Sequence, residues 1–231
     1  MLLSNLRYAL RIASQLGGTY PRTCPGCSFS GKFRAFGLPP RFDAQCPRCL
    51  SLERHRLFFL TVQSHALIEP GTEVLHIAPE LVIQRFLQSR CKRYTTLDLF
   101  RSDVDVKEPI ERTSLPDESY DHVFCSHVLE HVDDEKALKE IFRLLRPGGT
   151  LVAMVPIIEG WEKTYEDPAI TTPQEREVHF GQDDHVRYYG RDFRDRLSRA
   201  GFSVKEFTAE GADVVKFGLL AGEKVFVAAK P

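Results

Sequence analysis

Four of the six cysteines stand in two pairs, Cys24-Pro-Gly-Cys27 and Cys46-Pro-Arg-Cys49. A two-residue gap lets one tight turn aim both sulfurs at a single ion. Two such turns complete a tetrahedron of thiolates with no position left open for catalysis. Pro25 and Pro47 suit these turns by fixing φ. The spacing predicts a structural zinc ion held by Cys24, Cys27, Cys46 and Cys49, in preference to disulfides or a redox pair. Cys91 and Cys125 are single, and Cys125 lies in an apolar run that reads as core packing. His55 would enter the metal site only if a cysteine dropped out, so it is taken as a surface or packing residue.

Three of the eight histidines, His127, His131 and His185, are candidates for proton transfer. An imidazole placed against a nucleophile can take its proton near neutral pH. His127, Glu130 and His131 stand at i, i+3 and i+4, which would put them on one helix face. Such a set can chelate a divalent ion, although it more often packs and caps a helix.

The elements that must position these groups follow from pattern. The chain has 231 residues, is 42% hydrophobic and 27% charged, and carries a formal charge of -1, all ordinary for a globular protein. That length suits one full-size domain with a small appendage. No apolar run approaches the roughly 20 residues that span a bilayer. Arg7 and Arg11 interrupt the apolar stretch of residues 1–20 where a signal peptide would be continuous, so a cytoplasmic location is expected. Residues 1–60 hold nine basic side chains against Asp43 and Glu53, a net +7, and the remainder is -8. The basic front either meets an anionic partner or is a solvated face docked on the acidic body.

Residues 1–22 read as a helix, with Leu3, Leu6, Leu10 and Ala13 at helical spacing and packing against the body as their expected use. Residues 23–50 form the zinc module, resembling a zinc ribbon. Residues 51–68 form a connecting helix that Ser51 could cap. From 69 to 231 strands alternate with helices: strands at 73–78, 93–98, 103–106, 121–126, 150–155, 202–208 and 224–229, helices near 80–88, 134–145 and 191–200, and a turn at 146–149. This is an α/β pattern, a mostly parallel sheet covered on both faces, and its ligands belong beyond the carboxyl ends of the strands. Ala78, Pro79, Glu80, Asp98, Ser126 and His127 fall there. Asp98, about 20 residues past the first strand, is placed to accept from both hydroxyls of a ribose. Residues 156–190 form an insertion that would cover the site. It is rich in aromatics (Trp161, Tyr165, Phe180, Tyr188, Tyr189) that could stack on a sugar or base or close the core, and Arg187 could bind a phosphate or carboxylate.

The run Tyr120-Asp-His-Val-Phe-Cys-Ser-His-Val-Leu-Glu-His-Val132, with Leu145-Arg-Pro-Gly-Gly-Thr-Leu-Val152, Asp184-His-Val-Arg-Tyr-Tyr-Gly190 and Leu197-Ser-Arg-Ala-Gly-Phe202, resembles the class I S-adenosylmethionine-dependent methyltransferases, type 11 in particular. The resemblance covers about residues 70–231. It implies a Rossmann-like, seven-stranded sheet in the order 3-2-1-4-5-7-6 with the seventh strand antiparallel, and S-adenosylmethionine as cofactor. The chain departs from the family at its first motif, where His76-Ile-Ala-Pro-Glu80 replaces a glycine-rich turn. The contact to the cofactor's amino group therefore moves to Glu80, beside Ala78, Pro79, Asp98 and Ser126. Methyl transfer from a sulfonium is an in-line displacement that depends mainly on alignment. His127 is the first candidate base, with His185 and His131 behind it. The leading expectation is O-methylation of a small molecule or glycan. An RNA methyltransferase whose zinc module grips phosphates is the alternative, disfavoured by the acidic body. A non-catalytic binding protein is the third reading, which the glycine-free first motif supports.

Overall fold

The computed structural model describes residues 2–231, apart from the side chains of 2–5 and 8. The chain divides into two compact units, Met1–Leu67 with Thr208–Lys224, and Ile68–Phe207 with Val225–Pro231. Residues 208–224, within the body expected at 69–231, group with the front of the chain in this division.

The front unit opens with α1 (Leu2–Gln15). Packing of its leucines was expected, but Leu6 and Leu10 are 57% and 61% exposed; the side chain of Leu3 lies outside the described residues. Two antiparallel hairpins follow, β1 (Pro21–Thr23) with β2 (Ser30–Lys32), and β3 (Arg34–Phe36) with β4 (Arg41–Gln45). Each cysteine pair begins where a strand ends, Cys24 after β1 and Cys46 after β4. The helix α2 (Glu53–Ser64) starts two residues later than expected, with Leu52 and not Ser51 at its N-cap. Ser51 is buried instead, 3.3 Å from Cys24 Sγ and 3.2 Å from Cys49 Sγ.

The body runs β5 (Glu73–Ile77), α3 (Leu81–Leu87), β6 (Arg93–Leu97), β7 (Tyr120–Ser126), α4 (Asp134–Leu144), β8 (Leu145–Met154), β9 (Tyr165–Glu166), α5 (Pro173–Phe180), β10 (Arg187–Tyr188), α6 (Phe193–Arg199) and β11 (Ser203–Thr208). After α7 (Gly211–Phe217) the chain ends on β12 (Lys224–Ala229). The main sheet has six strands in the order β11-β12-β8-β7-β5-β6. Strand β5 pairs in parallel with β6 and β7, β7 in parallel with β8, and β12 runs antiparallel to β8.

The third strand, expected at 103–106, is reduced to one parallel bridge between Leu97 and Val106. The Asp105 carboxylate causes this by accepting from the Thr96 amide (2.8 Å) and hydroxyl (2.7 Å), so a side chain takes the place of a ladder bond. The turn expected at 146–149 lies within β8, which leaves α4 directly and slips register between Tyr120 and His122. Leu75, Ile77, Val123, Cys125, Leu151 and Ala153 fill the core of the sheet, each essentially buried. Val74, Phe124 and Val152, which point to the other face, are buried as well, so the runs are near-continuously apolar, as strands covered on both faces require.

Candidate functional site

Two adjacent strands end in residues with left-handed backbones, Ala78 after β5 (φ +48°) and His127 after β7 (φ +54°). Neither is glycine, so each turn carries strain that its neighbours must hold. The Ala78 amide donates to the Leu97 carbonyl at 2.8 Å, and the His127 amide to that of Met154 at 2.9 Å. Beyond these turns opens a cleft of about 500 Å³, with Ala78, Asp98, His127, His131, Arg176 and Asp184 among its lining residues. This is the carboxyl edge of the parallel strands, where such sheets bind ligands.

Asp98 ends β6 in an Asx turn: Oδ1 accepts from the amides of Phe100 (2.7 Å) and Arg101 (2.9 Å). The carboxylate is thereby fixed at the cleft wall, and Oδ2 takes no part in the turn. Pro79, Glu80 and Ser126 lie outside the cleft's lining residues. Pro79 gives its carbonyl to Arg101, and Glu80 is the N-cap of α3. His76 is fully buried, its Nδ1 2.6 Å from Tyr94 Oη.

The three candidate histidines gather around one carboxylate, but not on a helix. Residues 127–132 form a turn ahead of α4, which corrects the shared helix face expected for His127, Glu130 and His131. His127 Nδ1 lies 3.3 Å from Glu130 Oε1, and its Nε2 is buried with no hydrogen-bond partner. His131 Nδ1 faces Asp184 Oδ2 at 3.2 Å, and its ring meets that of His185 edge-on, 4.6 Å between centroids. His185 is 4% exposed, with Nδ1 3.2 Å from the Phe180 carbonyl. Burial, and then the neighbouring imidazole of His131, lower the His185 pKa below the ordinary histidine value.

The insertion shapes this turn. Arg187, expected to bind an anionic substrate group, is buried and donates to the carbonyls of Leu129 (2.8 Å) and Val132 (2.6 Å) and to Glu166 Oε2 (2.8 Å). The Tyr189 hydroxyl donates within the same cluster, 2.9 Å from both the Leu129 carbonyl and Asp134 Oδ2. Of the insertion's aromatics, Phe180 and Tyr189 close the core, whereas Trp161 and Tyr165 are 40% and 37% exposed. Pattern reading had no signal for Arg176 at the cleft. Asp184 adjoins His185 in the Asp184–Gly190 run, where an exposed acidic residue carries no pattern signal.

In the front unit the two cysteine turns repeat one geometry. The Ser28 amide donates to the Cys24 carbonyl at 2.8 Å, and the Leu50 amide to the Cys46 carbonyl at 2.9 Å. Ser28 and Leu50 both have positive φ, 58° and 64°. The sulfurs of Cys24 and Cys49 are 3.5 Å apart and those of Cys27 and Cys46 3.7 Å, with all four ligand atoms within 4.8 Å of one another. Four sulfurs about 2.3 Å from one tetrahedral ion would sit about 3.8 Å apart. All six cysteines are free thiols, so the donor set and its spacing fit a tetrahedral cation and not a disulfide. Burial above all, with the neighbouring thiols of Cys49 and Cys24, pushes the Cys27 thiol up to about 11.

Residues 75–153 match the family described as methyltransferase domain. A curated relative, the ubiquinone/menaquinone biosynthesis C-methyltransferase UbiE of Enterobacter sp. (strain 638), is 30% identical over 122 residues, 51% of this chain and 49% of its own length. The chain thus spans about half the length of that relative. Among solved structures, the Burkholderia thailandensis 1,6-didemethyltoxoflavin-N1-methyltransferase with bound S-adenosylhomocysteine is 16% identical at TM-score 0.53, covering 74% of this chain and 75% of that one. The (4+2)-cyclase SpnF aligns at TM-score 0.55 and 13% identity over 78% of this chain and 83% of its own, so the fold by itself does not dictate methyl transfer. Residues 75–153 thus match a methyltransferase domain, within a body that shares the fold of solved methyltransferases.

Proposed function

We propose that the protein is an S-adenosylmethionine-dependent methyltransferase acting on a hydroxyl of a small molecule or glycan, with a structural zinc ion in its front unit. The observation that carries this reading is the placement of Asp98 and of His127, with its unpartnered Nε2, as lining residues of one cleft at the carboxyl edge of β5, β6 and β7.

The residues present fit the cofactor. The Asp98 carboxylate, fixed by its own turn, would accept from the ribose hydroxyls, while Ala78 presents backbone with only a methyl side chain where a larger group would block approach. When bound, the cofactor supplies an electrophilic methyl carbon on a sulfonium, already activated for displacement. The protein's part is alignment and proton removal. His127, with Nδ1 3.3 Å from Glu130, would take the acceptor's proton on Nε2, which has no hydrogen-bond partner. Cleft-lining Asp98, Glu108, Glu111 and Asp184 outnumber Arg176, which favours a neutral acceptor over a polyanion such as RNA.

Calorimetric titration of S-adenosylhomocysteine into wild type and Asp98→Ala tests the reading. The expected result is micromolar binding by wild type, weakened roughly tenfold or more by loss of a charge-assisted hydrogen bond. A folded wild-type protein that binds neither S-adenosylhomocysteine nor S-adenosylmethionine would overturn it and favour a binding protein built on this fold.

A further inference from the structure

Beside His127, and sharing Glu130 with it, a set of metal-ligating donors converges. Glu130 is fully buried, and neither carboxylate oxygen has a hydrogen-bond partner. A carboxylate in that position is expensive unless a cation balances it. His127 Nδ1, 3.3 Å away, offers at most one edge of one oxygen. Donor atoms of Glu130, His131 and His185 lie within 4.8 Å of one another.

The orientation of the two rings is informative. A carbonyl can only accept, so His185 Nδ1, 3.2 Å from the Phe180 oxygen, must carry the proton. Carboxylates likewise accept, and Asp184 Oδ2 faces His131 Nδ1 at 3.2 Å. Both imidazoles are thereby held with Nδ1–H outward to an oxygen, leaving each Nε2 as a lone pair. That is the arrangement by which protein oxygens orient histidines for a metal ion. The Val186 amide donates to the Glu130 carbonyl at 2.9 Å, so the insertion that carries His185 is tied to the turn that carries Glu130 and His131.

We propose that Glu130, His131 and His185 bind a first-row divalent cation at the edge of the cleft, distinct from the four-cysteine site. Two nitrogens and one carboxylate suit Zn²⁺, Co²⁺ or Mn²⁺ and leave coordination positions open. His131 and Asp184 line the cleft, so an acceptor oxygen entering there would complete the shell, and its hydroxyl would lose its proton more readily as a ligand. This role rests on the transferase reading; the cation site itself does not.

Equilibrium dialysis of the full chain against micromolar Co²⁺, with metal analysis and visible spectra, tests the site. Wild type should hold two equivalents per chain. Glu130→Gln and His131→Asn should each hold one, keeping the intense thiolate-to-cobalt bands and losing the weaker absorption of the nitrogen- and oxygen-ligated ion. Glu130→Gln is isosteric, and its far-ultraviolet circular dichroism should match wild type. S-Adenosylhomocysteine titrated into the same samples separates the two readings. A wild type that binds this ligand yet holds one equivalent, with thiolate bands alone, overturns the cation site and leaves the transferase standing. Two equivalents, one lost in each variant, with no ligand binding would support the cation site and overturn the transferase.

Discussion

Arg187 Nη1 donates to the Leu129 carbonyl at 2.8 Å, and so a residue of the insertion holds the turn that carries Glu130 and His131. Its guanidinium also meets Val132 and Glu166, and Asp134, 2% exposed, lies 3.7 Å away. Arg196 joins the same carboxylates, 2.9 Å from Asp134 and 2.7 Å from Glu166. Arg187→Met should therefore leave buried carbonyls and carboxylates short of a donor. The expected loss is about 2–4 kcal/mol in urea denaturation, together with weakened binding at the cleft. An unchanged denaturation midpoint would show that the turn stands without the insertion.

Ala78 occupies left-handed backbone at the point where the resembled family places glycine. A Cβ at positive φ costs about 1–2 kcal/mol, while glycine loses about 0.4–1 kcal/mol through its freer unfolded chain. Ala78→Gly should then raise stability by about 0.5–1 kcal/mol, read as a higher thermal midpoint, without weakening S-adenosylhomocysteine binding. A lower midpoint would mean that the methyl group packs more favourably than the turn is strained.

Glu140 anchors α4 to the preceding loop, accepting from the Thr113 amide and hydroxyl, both at 2.8 Å, and pairing with Arg143. Burial by itself would raise this carboxyl, but Arg143 and Thr113 outweigh it and hold it at about 2. Because the folded pKa is depressed, the contribution is fully present above about pH 4.5 and is lost as pH falls toward 2. With Arg143 about a third exposed, solvent screening limits it to about 1–2 kcal/mol. Glu140→Gln should be less stable than wild type at pH 7, and the gap should narrow on acidification through that window in paired denaturation curves.

These sites show where the sequence was readable. The cysteine pairs, the parallel strands and the edge at which Asp98 and His127 emerge all follow from local spacing and apolar runs. The strand expected at 103–106 failed because Asp105 replaces ladder bonds with its own carboxylate, a competition that a period-two pattern does not register. The i, i+3, i+4 spacing of His127, Glu130 and His131 implies one helix face, yet what decides the turn at 127–132 is tertiary: Arg187 and Tyr189 hold the Leu129 carbonyl from 58 and 60 residues away. For the same reason Arg187 looked like an anion binder when it is a buried brace.

Arg56 links the cysteine cluster to Phe217 and Gly218, 161 and 162 residues away. It is fully buried, donates to the carbonyls of Ala44 (2.9 Å), Ser51 (2.6 Å) and Phe217 (2.6 Å) and to that of Gly218, and lies 4.6 Å from the centroid of the Phe33 ring. Burial lowers the Arg56 pKa from the usual arginine value, opposed by Glu53 and by negative charge on Cys24, Cys46 and Cys49. Four thiolates around a divalent ion retain net negative charge, so the filled site would stabilise Arg56, and Arg56 in turn holds the residues that follow α7. Removing the metal by chelation, or introducing Cys24→Ser, should therefore expose the backbone of 208–224 as well as that of 23–50. In hydrogen exchange both segments should lose protection together, while β5 and β7 in the other unit keep theirs. Protection that persists at 208–224 after the metal has left would show that Arg56 is held by its carbonyls alone.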